Sequence, residues 1–162
     1  MIVVSDTSAL WTLAAVGRAE LLRDLFGRVL VPPAVATEFV QPRGRRGGKV
    51  RLALPDFIEV VPVADQRRVR ELAEGLDHGE SEAIALALEL KADWLLLDER
   101  EARLVAQRCG LPFTGAVGVL LRAKQRRLLP AVRPVLEVAR MQFGFYLSEQ
   151  LLHQVLTDAG EL

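Results

Sequence analysis

Trp94-Leu95-Leu96-Leu97-Asp98-Glu99-Arg100-Glu101-Ala102-Arg103-Leu104-Val105-Ala106 sets four apolar residues in a row before a charged stretch whose apolar members return at helical spacing. The apolar run is too short to be a helix of its own and carries no polar alternation. It reads as a central parallel strand covered on both faces, followed by a helix through Glu101, Ala102, Leu104, Val105 and Ala106. Asp98 stands where the one gives way to the other.

The same junction opens the chain. Ile2 to Val4 is a β-branched run, Ser5-Asp6-Thr7-Ser8 follows, and Leu10, Leu13, Ala14, Leu21, Leu22 and Leu25 recur at the spacing of one helix. Val29 to Val31 reads as a second strand, ending at Pro32-Pro33, where proline suits the first turn of a helix carrying Val35 and Phe39. Gln41 to Pro55 is rich in Gly, Pro and Arg without apolar periodicity, which predicts an exposed, moving connection. Phe57 to Val63 reads as a strand or extended segment, and Gln66 to Glu74 as a charged helix. The strongest helix starts at Asp77, with Glu80 three residues on in an acidic variant of the capping box, and with Ala83, Ile84, Ala87, Leu88 and Leu90 as buried positions. Leu111 to Thr114 is the last predicted strand, and Gly115 to Arg127, Ala131 to Arg140 and Ser148 to Asp158 are three further helices.

Parallel strands require crossover connections, so this alternation predicts an α/β fold with a central parallel sheet between helical layers. The 162 residues, 51% hydrophobic, match one compact domain over residues 1–162, with a core over about 2–125 and carboxyl-terminal helices over about 130–160. The longest apolar stretches, such as Ala83 to Leu88, fall far short of the roughly 20 residues that cross a bilayer. The start at Met1-Ile2-Val3-Val4 has no basic leader or cleavage site, and Cys109 is the only cysteine, so the expected location is cytoplasmic.

Lys+Arg at 21 balances Asp+Glu at 21, but the charges are sorted along the chain. Arg43 to Arg70 holds eight basic and three acidic residues, Glu71 to Glu101 two basic and ten acidic, and Ala102 to Arg140 eight basic and one acidic. One reading is a carboxylate-lined cation site between surfaces able to hold a polyanion. The other is a set of solvated helix faces whose charges never converge.

In open parallel sheets ligands sit outside the carboxyl ends of the strands, which gives weight to polar residues just after apolar strands. Asp6 and Asp98 satisfy this directly. Glu38 lies in the helix after Pro32-Pro33 beside Phe39 and Val40, where an unpaired carboxylate is costly to bury. Glu80 and Glu82 open the helix Gly-Glu-Ser-Glu-Ala-Ile-Ala-Leu-Ala near its positive dipole end. Each acid also has a plain structural reading: Asp6, Glu80 and Asp98 as helix caps, and Glu38 as a half-exposed helix charge. Taken together, four carboxylates brought to one sheet edge repel one another and call for a divalent ion, and oxygen ligands favour Mg²⁺ or Mn²⁺.

The opening Val-Ser-Asp-Thr-Ser-Ala-Leu, the segment Val-Pro-Pro-Ala-Val-Ala-Thr-Glu, Gly-Glu-Ser-Glu-Ala-Ile-Ala-Leu-Ala, Leu-Leu-Leu-Asp-Glu-Arg and the stretch from Thr114 to Lys124 together resemble a PIN-domain protein. Their order and spacing carry the resemblance, over about Ile2 to Leu121. The likeness is nearest to a prokaryotic subfamily related to the VapC toxins, described mostly as predicted nucleic-acid-binding proteins. The resemblance implies a three-layer α/β/α fold and a ribonuclease dependent on Mg²⁺ or Mn²⁺. Asp6 matches the family's first acid, Glu38 the second, Glu80 the third with Glu82 two residues on as alternate, and Asp98 the fourth with Glu99 as alternate. Leu97 stands near where many such toxins carry a threonine. In that scheme the acids hold an ion that activates a water for in-line attack on phosphorus, leaving a 5′-phosphate and a 3′-hydroxyl. Thr7 and Ser8 orient the ligands rather than attack, since neither has a partner base. The resemblance also implies a homodimer and a small antitoxin partner, as in toxin–antitoxin pairs.

Arg43, Arg45, Arg46, Lys49 and Arg51 offer a cationic arm for RNA phosphates, and Arg100 and Arg103 add charge after Asp98; the arm reads equally as a solubilising loop. Phe143, Phe145 and Tyr146 form a late aromatic cluster, read as packing the carboxyl-terminal helix or a partner rather than stacking bases. His78 reads as a capping or solvent-facing residue; His153 and Cys109 read as structural. A haloacid-dehalogenase-type phosphatase wants a second Asp two residues after Asp6, where Ser8 stands, and a receiver-like phosphoacceptor lacks its preceding acidic pair. A P-loop fails because Val50 follows Gly48-Lys49. The alternative from another class is a PIN fold kept as a weakly active or non-catalytic binding module for RNA or an antitoxin-like protein.

Overall fold

The computed structural model describes residues 1–45 and 47–162; the side chain of Arg45 and all of Arg46, two members of the expected cationic arm, lie outside that description. Five parallel strands form the central sheet: β1 (Val3–Ser5), β2 (Val29–Val31), β5 (Ile58–Val60), β6 (Trp94–Leu96) and β7 (Phe113–Thr114), in the order β5-β2-β1-β6-β7. β1 and β6 are neighbours at the centre, with Val3 opposite Trp94 and Ser5 opposite Leu96. Val3, Val4, Leu95, Leu96 and Leu97 are fully buried, as a strand covered on both faces requires. β5 forms one edge and exposes Glu59 and Val60, which accounts for its weaker apolar signal.

Helices cover both faces, giving the three-layer α/β/α arrangement. α3 (Pro33–Phe39), α4 (Gln66–Leu72) and α5 (His78–Leu90) pack together, and α2 (Glu20–Phe26), α7 (Ala116–Gln125) and α9 (Glu149–Asp158) form a second group. α1 (Thr7–Ala15) touches α3, α7 and α8 (Arg133–Phe143), while α6 (Arg100–Arg108) links β6 to β7. Among the described residues no helix is long and apolar enough to cross a membrane.

Two sequence expectations need correction. The single helix read from Leu10 to Leu25 is two, α1 and α2, because Gly17 takes φ +75° and breaks the chain direction between them. The connection from Gln41 to Pro55 contains a hairpin, β3 (Arg43–Arg45) paired antiparallel with β4 (Gly48–Val50). Its alternation is hidden because both strands are short and mostly solvent-facing, so no apolar face writes itself into the sequence.

Candidate functional site

Because β1 and β6 are adjacent and in register, their carboxyl ends deliver Asp6 and Asp98 to the same edge. The Asp6 amide extends the ladder by donating to the Leu96 carbonyl (3.0 Å), and the Leu97 amide donates to the Thr114 carbonyl (2.8 Å). Asp6 is 2% exposed and caps α1: its Oδ1 accepts from the Ala9 amide (3.2 Å). Asp98 is also a cap, but of α7 rather than of the helix that follows it, since Oδ1 accepts from the Ala116 amide (3.1 Å). Its Oδ2 is buried without any hydrogen-bond partner. A buried carboxylate oxygen left bare is costly, and a native structure keeps one only for a reason.

α5 brings the third acid through its capping box. Asp77 Oδ1 accepts from the Glu80 amide (2.8 Å), and Glu80 Oε1 accepts in return from the Asp77 amide (3.2 Å). Glu38, in the last turn of α3, accepts at Oε2 from the Thr7 hydroxyl (3.3 Å). Among the described residues no protein donor reaches Asp6 Oδ2 or Glu80 Oε2. Asp6, Glu80 and Asp98 thus each spend one oxygen on a helix-start amide and keep the other.

The electrostatics agree with that geometry. Burial, then the charges of Asp98, Glu80 and Glu99, hold Asp6 well above the usual carboxylate range, against the Ala9 amide. Glu80 is raised by burial and then by Asp77, Glu99 and Glu38, with the Asp77 amide opposing. Glu38 is raised by burial and Asp77, with Thr7, Arg43 and His78 opposing. Asp98 is raised by burial and Glu99, with the Ala116 amide and Arg103 opposing. The charges of Asp98, Glu80 and Glu99 act on Asp6 and those of Glu99 and Glu38 on Glu80, so these acids feel one another.

The two alternates part company. Exposed Glu99 precedes α6 and adds its charge to the cluster. Glu82, two residues on from Glu80, is directed to the start of α3: its Oε1 accepts from the Ala34 amide (2.9 Å), and its Oε2 lies 3.5 Å from His78 Nε2. Pro32 precedes α3 and supplies no side-chain cap, so Glu82 satisfies that helix start from across the core.

Glycines set how closely the acids sit. A Cβ at Gly79 would collide with the Glu38 carboxylate, and one at Gly115 with Asp98 Oδ1 and Arg103 Nη2. A Cβ at Gly118 would strike the Thr114 hydroxyl. The Thr114-to-Lys124 stretch owes its glycines to these approaches, and only the fold shows it.

Of the cationic residues, Arg43 reaches the site from β3: its Nη2 donates to Ser8 Oγ (3.0 Å), and its guanidinium stacks 5.5 Å from the Trp11 ring. Arg103 donates from Nε to the Leu97 carbonyl (2.8 Å), lies 3.7 Å from Asp98 Oδ1 and stacks 5.3 Å from the Phe113 ring. Arg100 and Lys49 are exposed. Arg43, Arg103, Asp98 and Glu99 line a groove of about 850 Å³ that Trp11 and Phe113 also wall. Sequence reading missed these two rings; the available signal was Trp11 lying one helical turn after Ser8.

No group of three or more His, Cys, Asp or Glu side chains among the described residues stands ready to hold a metal ion. The donor set nonetheless fits a hard divalent cation: every donor is a carboxylate oxygen, Asp98 Oδ2 is orphaned, and burial and neighbouring acids raise Asp6 and Asp98 although Arg103 stands beside Asp98.

A family model described as a PIN domain matches residues 2–161 of the chain. No curated protein matches it.

Proposed function

The chain belongs to the PIN-domain family, whose members are generally nucleases that act on nucleic acids and typically use divalent metal ions; from that premise we propose that it is an endoribonuclease dependent on Mg²⁺ or Mn²⁺. Asp6, Glu38, Glu80 and Asp98 would hold the ion, with Glu99 beside them. The observation that carries the reading is that Asp6, Glu80 and Asp98 each bind a helix-start amide with one oxygen and present the other without a protein donor, at the sheet edge where such folds bind ligands.

When bound, the ion supplies Lewis acidity toward a water and toward phosphoryl oxygens. The protein's part is positioning. The Ala9, Asp77 and Ala116 amides fix the Asp6, Glu80 and Asp98 carboxylates, and the Thr7 hydroxyl fixes Glu38. Arg43 and Arg103 place positive charge where phosphates of a bound strand would run, which favours binding without reading sequence. Action as the toxin of a toxin–antitoxin pair, and as a homodimer, completes the proposal on the strength of the family resemblance.

The test is cleavage of a labelled mixed-sequence single-stranded RNA by the purified protein with Mg²⁺ or Mn²⁺, beside EDTA and Asp6→Asn. The expected result is cleavage abolished by EDTA and reduced by more than about 100-fold in the variant, beyond what losing a supporting hydrogen bond costs. Absence of cleavage, with calorimetry showing no ion bound, overturns the nuclease and leaves a binding module.

A further inference from the structure

The groove that Asp98 and Glu99 line is also walled by Phe145 and Tyr146, in the turn between α8 and α9. Gly144 ends α8 at φ +69°, and the residues around it are used inward: Phe143 meets the Trp11 ring edge-on at 5.9 Å, and Leu147 is buried. Tyr146 is not used this way. It is the only tyrosine of the chain, it is 84% exposed, and it walls both this groove and a second one beside Arg140. The fold therefore leaves one large ring open to solvent on the wall of a groove that Asp98 also lines.

Arg43 lines the same groove as the ring and Asp98. Its partners are a neutral hydroxyl and an indole face, and among the described residues no carboxylate forms an ion pair with it. Asp158, also on the groove wall, is engaged by the Gln154 amide (2.8 Å). A groove lined by carboxylates, a guanidinium without an ion-pair contact and an exposed ring matches a strand of alternating phosphates and bases. Base stacking on an aromatic face adds affinity whatever the base, while cations track the backbone.

We propose that Tyr146 is a stacking platform for one base of a single-stranded nucleic acid whose backbone passes Arg43 on the way to the acids. This deepens the nuclease reading and rests on it for the substrate class. It also replaces, at Tyr146 alone, the expectation that the late aromatic cluster only packs protein. A base inside a duplex is already stacked on its neighbours, so the platform favours single strands.

The single tyrosine makes the test direct. The full chain, carrying Asp6→Asn so that the strand is not cut, is labelled with 3-fluorotyrosine, and its one ¹⁹F resonance is followed with a short oligouridylate, an abasic strand of equal length and an RNA hairpin. The expected result is a shift with oligouridylate and none with the other two. In the same background, unlabelled Tyr146→Ala weakens oligouridylate binding on the order of tenfold by fluorescence anisotropy, and Tyr146→Trp restores it. A resonance that stays still, that moves equally with the abasic strand, or that moves with protein concentration alone overturns the platform; the last outcome makes the ring part of a contact between copies. A shift with oligouridylate in a protein whose wild type cuts nothing keeps the platform and removes the nuclease. Cleavage with a still resonance does the reverse.

Discussion

Glu161 and Asp98 are both largely enclosed carboxylates, and the chain surrounds them differently. Glu161 Oε2 accepts from Lys124 Nζ (2.8 Å) and the Val132 amide (2.7 Å), and its Oε1 accepts from the Arg133 amide (2.9 Å). Burial alone would raise this carboxyl, but Lys124 and the two amides outweigh it and hold it down to about 2. Asp98 has one amide on Oδ1, Arg103 Nη2 at 3.7 Å from the same oxygen and nothing on Oδ2, and burial and Glu99 raise its value against the Ala116 amide and Arg103. A carboxylate placed to hold the fold together receives its full set of donors. One left short of them, among other acids, keeps an oxygen whose burial only a bound group would offset.

The largest effect that separates the two is on activity against stability. Asp6→Asn is expected to lower RNA cleavage by more than about 100-fold while leaving the metal-free unfolding midpoint equal to wild type or above it, because it removes one repelling charge. Glu161→Gln is expected to do the opposite, keeping cleavage within about twofold and destabilising by about 1–3 kcal/mol, the cost of taking charge out of a well-donated hydrogen-bond set. Urea unfolding in EDTA beside initial cleavage rates checks both. A metal-free Asp6→Asn protein clearly less stable than wild type would mean that Asp6 serves the fold as Glu161 does.

A second effect is the response to the ion. Mg²⁺ stabilises what it binds by mass action, so the unfolding midpoint of wild type and of Glu161→Gln should rise with Mg²⁺ above its Kd, and that of Asp6→Asn should stay flat. A midpoint that rises equally in all three places the ion elsewhere.

How far this contrast was legible in the sequence depends on where its information lies. Asp6 and Asp98 were visible because each ends an apolar strand, and the parallel pattern put those ends on one edge. The capping readings of Asp6 and Glu80 were visible too, and the structure shows that capping leaves the second oxygen of each carboxylate without a protein donor. Which helix Asp98 caps was not legible, because Ala116 meets it only through the pairing of β6 with β7. Glu161 gave no signal, since its three donors come from α7 and the start of α8, far away in sequence. The hairpin and the Gly17 break were lost for a local reason: neither buries a periodic apolar face.

The glycine contacts give a smaller effect. Gly79→Ala sets a methyl against the end of the flexible Glu38 side chain, which can swing away, so the fold should tolerate it. Moving Glu38 displaces one donor of the proposed ion and the acceptor of the Thr7 hydroxyl. Mg²⁺ affinity by calorimetry is expected to fall about tenfold, the size seen when a supporting contact is lost, with the metal-free midpoint nearly unchanged. An unchanged affinity would remove Glu38 from the ligand set.

The smallest effect, the slope of stability against pH, distinguishes the two carboxylate environments most directly. For Asp6, Glu38, Glu80 and Asp98 the folded values lie above the ordinary ones, so between the two the folded state holds more protons and metal-free stability falls as pH rises, by less than about 1.4 kcal/mol per pH unit for each group. For Glu161 the folded value is about 2 against an ordinary 4.5, so its contribution is complete above 4.5 and fades only as pH falls toward 2. As pH is lowered from 7 toward the ordinary 4.5 in EDTA, wild type and Glu161→Gln should therefore gain stability in parallel. Asp6→Asn should gain less, because one of the groups taking up protons is gone. Saturating Mg²⁺ should flatten the wild-type slope, since carboxylates neutralised by a cation no longer need the proton. A slope in Asp6→Asn as steep as in wild type would show that Asp6 does not share in the repulsion on which the acidic edge, as a site for a cation, depends.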